Sequence, residues 1–251
     1  MLYLLQSLFI NNWGVLRIFK SITIRASIAF IIAFVFMLIF GKPFIKWLKK
    51  KKYGDTAREE GPQSHFSKSG TPTMGGLLII GAIIFSTLIA GNFTNKFIIF
   101  LFIITILFTT IGFYDDYLKL TKHKNGLSGK KKILGQLIIT GLTFAFICKY
   151  GIINKTLDFS IVNPLIKGSF LYITPVLFFV FMLFVIIGSS NAVNLTDGLD
   201  GLVSGPIIIV SVTLLIITYL TGHYEYAKYL NLNYVRESAE ICVYLASMLQ
   251  L

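Results

Sequence analysis

Phe97-Ile-Ile-Phe-Leu-Phe-Ile-Ile-Thr-Ile-Leu-Phe-Thr-Thr-Ile-Gly-Phe-Tyr-Asp-Asp116 is the stretch that decides the fold. From Phe97 to Tyr114 it carries no charge. At about 1.5 Å per helical residue, that run comes close to the roughly 30 Å hydrocarbon core of a bilayer. Asp115 and Asp116 end it side by side. Five comparable apolar runs flank it, at residues 22–40, 74–91, 133–150, 172–190 and 202–220. Another begins near Ser238 and runs to Leu251. The pattern predicts an all-α polytopic transmembrane bundle of six full spans and the start of a seventh. It reads as a single integral membrane domain over residues 1–251.

Composition agrees. Of 251 residues, 55% are hydrophobic and 14% charged, with a net charge of +12. Mean hydropathy is +0.76. A disordered chain needs low hydrophobicity, so that class is excluded. A soluble globule of this size could not hide so many Phe, Ile and Leu side chains. A nucleic-acid binder would set its Lys and Arg among polar residues, so no nucleic-acid partner is expected. Cys148 and Cys242 both lie in apolar runs and suggest neither a disulfide framework nor a zinc cluster. The opening segment, to Ile24, has no small-residue cleavage site after a short apolar core. It reads as an interfacial amphipathic stretch and not as a signal peptide.

Basic residues set the orientation. With the first span running outside to inside, the inner connections are 41–73, 115–132 and 191–201. They carry fourteen Lys and Arg against eight on the outer segments. The expected location is a bacterial cytoplasmic membrane, with Asp115, Asp116, Asp197 and Asp200 all on the cytoplasmic face.

Carboxylates at membrane depth are costly and point to function. Adjacent ones repel, and a divalent cation offsets this. Mg²⁺ takes hard oxygen ligands, often one or two carboxylates together with substrate phosphates. The competing reading of Asp115 and Asp116 is a solvated cap beside the lysines that follow. Asn194, Asp197 and Asp200 are spaced by three; they share a face if helical, while Gly198 and Gly201 suit an Asx-rich turn equally. The loop from Gly61 to Gly76 is punctuated by Gly and Pro, with Lys68 as a cation and Thr73 as a candidate N-cap of the next span. His65 reads as an exposed loop histidine. Glycine-lined turns and helix N-termini offer free N–H groups to phosphate. Lys130, Lys131 and Lys132 serve either topology and anionic lipid or, most directly through Lys132, a phosphate. Together these groups suit a metal-assisted reaction between a cytosolic substrate bearing phosphates and an acceptor from the bilayer.

Three blocks carry a family resemblance: Ser64-His-Phe-Ser-Lys-Ser-Gly-Thr-Pro-Thr-Met-Gly-Gly76, Gly112-Phe-Tyr-Asp-Asp-Tyr117 and Asn191-Ala-Val-Asn-Leu-Thr-Asp-Gly-Leu-Asp-Gly-Leu202. They resemble the phospho-N-acetylmuramoyl-pentapeptide transferases, a branch of the polyprenyl-phosphate N-acetylhexosamine-1-phosphate transferases. The resemblance implies ten spans in a complete member and a Mg²⁺-dependent transfer. Phospho-N-acetylmuramoyl-pentapeptide moves from UDP to undecaprenyl phosphate, giving lipid I and UMP in the first membrane step of peptidoglycan synthesis. It implies that Asp115 deprotonates the lipid phosphate and that Asp116 sits near the metal. Lys68 and Asp200 line the uridine pocket; Thr73, Asn194 and Asp197 are polar groups of the nucleotide-sugar site; Lys132 is a phosphate-side lysine. A homodimer is among the assemblies it allows.

The family's later part, with its firmest metal-ligand aspartate and a histidine-rich loop, has no counterpart here. The chain therefore resembles the first two-thirds of such an enzyme, and alone is expected to be inactive. Three other readings are weighed beside it: a UDP-N-acetylglucosamine transferase of the same superfamily, an ion-coupled transporter, and a non-catalytic membrane scaffold. A transporter would place its ionisable groups near the midplane, often with an inverted repeat; here the acids lie at one face and no repeat is visible.

Overall fold

The computed structural model describes residues 2–3, 14–51, 74–121, 126–154, 159–162, 170–196 and 202–250. After a 3-10 helix at Gly14–Lys20, the α-helices are α1 Ile22–Lys50, α2 Gly76–Ala90, α3 Lys96–Thr121, α4 Gly129–Asn154, α5 Pro175–Thr196, α6 Ser204–Thr221, α7 Tyr224–Tyr229 and α8 Ile241–Met248. A 3-10 turn, Ser238–Glu240, leads into α8. Between α4 and α5, β1 (Ser160–Val162) pairs antiparallel with β2 (Phe170–Tyr172), adding a short hairpin to the helical fold.

Among the described residues, five helices are long and apolar enough to cross a membrane: α1, α3, the Gly129–Tyr150 part of α4, α5 and α6. The chain is a multi-pass membrane protein. The full span expected at 74–91 is instead a shorter apolar helix, α2, whose 15 residues are bounded by Met74 at φ 70° and by extended Gly91, so five of the six expected full spans reach crossing length. The first span runs on past residue 40 to Lys50 with Pro43 inside the helix, at the loss of one backbone donor. Lys42, Lys46, Lys49 and Lys50 are exposed along that extension.

The chain divides into two compact units, Met1–Gly126 with Ser204–Leu251, and Leu127–Val203. In the first, α8 is the hub: Cys242 to Ser247 are all buried. Small side chains let helices approach closely in an apolar medium. Ala26, Ala29 and Ala33 line one stripe of α1, and Ala82, Ser86 and Ala90 one stripe of α2. Ala26, Ala29 and Ala90 pack with Cys242, Val243 and Ala246. On the other flank of α8, Tyr244 and Leu245 pack with Ile83 and Ile98.

A polar knot ties this unit at one end. Arg25, 1% exposed, pairs with Glu240: Nη2 donates to Oε2 at 2.7 Å, and Nη1 donates to Oε1. Nη1 also donates to the Ala90 carbonyl at 3.3 Å, and the Asn92 N–H donates to Glu240 Oε1 at 3.2 Å. Asn95 caps α3 by accepting from the N–H groups of Phe97 (2.8 Å) and Ile98 (3.3 Å), while its Nδ2 donates to the Glu237 carbonyl at 3.0 Å.

In the second unit α4 packs on α5 through aromatic side chains. The Phe144 ring centroid lies 5.0 Å from that of Phe179. Thr174 opens α5, its Oγ1 accepting from the Leu177 N–H at 3.2 Å, with Pro175 in the first turn, where a missing N–H costs nothing.

Candidate active site

Asp115 and Asp116 stand on α3 and do not cap it, since the helix continues to Thr121. This helical course brings Lys119 onto both acids. Its Nζ lies 2.9 Å from Asp115 Oδ2 and 3.2 Å from Asp116 Oδ1. Pairs three and four residues apart share a helix face, so one ammonium serves two carboxylates. Asp115 is buried and Asp116 half-buried. Buried carboxylates need charge partners, and Lys119 offsets the repulsion that adjacent acids would otherwise carry.

The chain returns over this pair at Gly126. Its φ is +64°, and a Cβ there would lie 2.6 Å from Asp115 Oδ1 and 3.0 Å from Lys119 Cε. Glycine tolerates the left-handed conformation without strain, and any side chain here would push the Asp115 carboxylate and the Lys119 stem aside.

Beside the pair, between α2, α3 and α8, lies a cavity of about 480 Å³. Met74, Leu77, Ile80, Phe108 and Phe113 supply apolar wall, and Asp116 its carboxylate. Thr105 and Tyr244, hydrogen-bonded to each other through their hydroxyls, line it as well. Such a cavity takes apolar matter and offers it one acidic group.

The second unit holds two more of the expected site residues. Lys132 lies in the first turn of α4, and its N–H donates to the Ser128 carbonyl at 3.1 Å. Asn194 is exposed near the end of α5, which stays helical from Asn191 to Thr196; of the helix and turn readings, the helical one holds for this part. Gln136 of α4 bonds to Ser190 and Asn191 of α5, so the start of α4 and the end of α5 lie together. Lys132, one turn before Gln136, and Asn194, one turn after Asn191, therefore share that end of the unit. Lys68, Thr73, Asp197 and Asp200 lie outside the described residues.

Lys119 and Gly126 are functional candidates that motif reading passed over. The i+3 and i+4 spacing from Asp116 and Asp115 was the signal for Lys119. Gly126 carried no local signal beyond Asn125-Gly126, a pair common in turns. Among the described residues no group of three or more His, Cys, Asp or Glu comes together as a metal cluster.

An apolar bundle with adjacent carboxylates at the end of a span matches a known class. The model of glycosyl transferase family 4 covers residues 97–235, from the start of α3 to beyond α7. The phospho-N-acetylmuramoyl-pentapeptide-transferase signature 1 matches residues 68–80. Relatives named phospho-N-acetylmuramoyl-pentapeptide-transferase include those of Fusobacterium nucleatum, 45% identical over 234 residues, and Leptospira biflexa, 41% identical over 251. The alignments cover 93% and 95% of this chain but 64% and 66% of those proteins. The Ruegeria pomeroyi relative of the same name is 39% identical over 250 residues, covering 99% of this chain and 68% of that protein. The chain thus belongs to glycosyl transferase family 4, and within it to the phospho-N-acetylmuramoyl-pentapeptide-transferases. It spans about two-thirds of the length of the relatives it matches.

Proposed function

We propose that this chain serves the transfer of phospho-N-acetylmuramoyl-pentapeptide from UDP to undecaprenyl phosphate, with lipid I and UMP as products. One observation carries the reading: the family's paired carboxylates stand together at the end of an apolar span, sharing one cation. The names of the relatives supply the sugar and peptide; the bilayer supplies the acceptor. On this reading the site faces the cytoplasm in a bacterial inner membrane, where the basic inner loops lie and the UDP-linked substrate arrives.

The chemistry follows from charge. An attacking lipid phosphate and the UDP pyrophosphate are both anionic, so transfer depends on positioning and on charge stabilisation. Asp115 takes the remaining proton of the lipid phosphate, whose oxygen then attacks the β-phosphorus of the nucleotide in a single displacement, with UMP leaving. Lys119 offsets the charge of Asp115 and orients its carboxylate for that role. Lys132 neutralises phosphate charge, and Asn194 hydrogen-bonds the nucleotide-sugar. Lys68 and Asp200 would hold the uridine, with Thr73 and Asp197 beside them.

Mg²⁺ suits the donor set. Asp115 Oδ2 and Asp116 Oδ1 converge on one cationic atom, Lys119 Nζ, and both are the hard oxygens this ion prefers. Asp115 and Asp116 would hold it, and it would supply Lewis-acid neutralisation of phosphate charge.

The test joins the chain to the C-terminal third of the Fusobacterium nucleatum relative, since the chain alone is expected to be inactive, and follows labelled UDP-N-acetylmuramoyl-pentapeptide into butanol-extractable lipid in membranes given undecaprenyl phosphate and Mg²⁺. Lipid formation lost on replacing Asp115 supports the reading. Turnover of UDP-N-acetylglucosamine alone favours the sister activity. No transfer of either sugar, together with no binding of UMP, overturns both.

A further inference from the structure

We propose that Gln136 is a positioning residue, which sets the rotation and axial register of α5 and thereby the placement of Asn194. The inference rests on the functional reading above, which makes Asn194 a nucleotide-sugar contact.

From Val176 to Ile187 every side chain of α5 is apolar, and from Ile133 to Ile139 α4 offers one polar side chain, Gln136. Apolar helices in a hydrocarbon medium gain little from one rotation over another, because lipid solvates each face equally well. A one-residue slip turns a helix by about 100°. Such a slip would carry Asn194 to a different face at small cost in apolar contacts.

Gln136 removes that freedom. It is 1% exposed and uses both halves of its amide. Nε2 donates to Ser190 Oγ at 3.0 Å, and Oε1 accepts from Asn191 Nδ2 at 3.0 Å. Asn191 Nδ2 also donates to the Ile187 carbonyl at 2.8 Å, which holds this side chain against its own helix. Any slip of α5 would break both interhelical bonds and strand buried amide groups where water cannot replace the partner. A single buried polar contact specifies register in coiled coils in the same way. Asn194 stands three residues after Asn191 on the same helix, so fixing Asn191 fixes it.

The test is calorimetric titration of UMP, with MgCl₂ present, into the whole chain in lipid nanodiscs. Gln136→Met is expected to weaken UMP binding about tenfold, the scale of an interhelical polar contact in lipid. Asn191→Leu should do the same, and the double variant should bind no worse than either single one. Ser190→Ala, which removes one arm, should give a smaller loss and covers the case in which Gln136→Met fails to fold. Melting temperatures are followed in parallel, since a purely structural role would lower them and leave UMP affinity alone. Unchanged affinity in Gln136→Met and Ser190→Ala, with affinity lost in Asn194→Ala, overturns the positioning role and leaves the functional reading standing. Failure of the unaltered chain to bind UMP overturns the functional reading and this inference with it.

Discussion

Gly126 closes over Asp115 so tightly that a single added methyl carbon would lie 2.6 Å from the carboxylate oxygen Oδ1. Gly126→Ala therefore meets two obstacles, the φ of +64° and the collision. The left-handed conformation alone costs an L-residue about 1–2 kcal/mol. The variant should unfold at correspondingly lower denaturant or temperature, and transfer should fall because Asp115 is displaced. A chain with alanine here and an unshifted unfolding midpoint would contradict the geometry.

Asp115→Asn keeps the shape and removes the charge. On the proposed function, in which the acid acts on the lipid phosphate and not on the nucleotide, it should abolish transfer and leave UMP binding within about twofold. A phosphorylated enzyme trapped during turnover would count against the single-displacement route, since that route passes through no covalent enzyme species.

Lys119→Met bears on how the two acids are neutralised. The pair with Lys119 is part-exposed and worth at most about 1 kcal/mol, so the chain should still fold. With the ammonium gone, the adjacent carboxylates should take up a divalent cation more avidly. Mn²⁺ titration followed by electron paramagnetic resonance should show a severalfold lower Kd in Lys119→Met, and no tight site in the Asp115→Asn, Asp116→Asn double variant. Identical Mn²⁺ affinity with and without Lys119 would show that the ammonium and the metal do not share the site.

Arg25→Met should be among the most damaging single changes. It leaves Glu240 charged and buried, and breaking one half of a buried pair costs about 3–5 kcal/mol. Adding Glu240→Leu should recover most of that loss, because the stranded charge is then gone. Denaturation midpoints of the single and double variants check this. A double variant as unstable as Arg25→Met would mean that the contacts to Ala90 and Asn92, and not the ion pair, hold the knot.

Local pattern made much of the molecule legible. The run from Phe97 to Tyr114 reads as a membrane span because its length is matched to the bilayer, and α3 contains it. The Asp-Asp pair reads as the end of that span, yet α3 continues through it, since Lys119 compensates both acids from within the helix. Arg25 is conspicuous as a lone cation in an apolar run. Its partner Glu240, 215 residues away, is not. Asn194 was open between helix and turn until α5 carried it to Thr196.

The sequence by itself determined the membrane bundle, the order of its apolar helices, and the family, because apolar run length and short polar blocks are local properties. Only the tertiary structure decided which polar groups meet. Arg25 finds Glu240, Gly126 covers Asp115, and Gln136 locks Asn191 across 55 residues of chain. Inside an apolar bundle each of these groups must find a partner, but no local pattern names the partner. That choice is made when the helices pack.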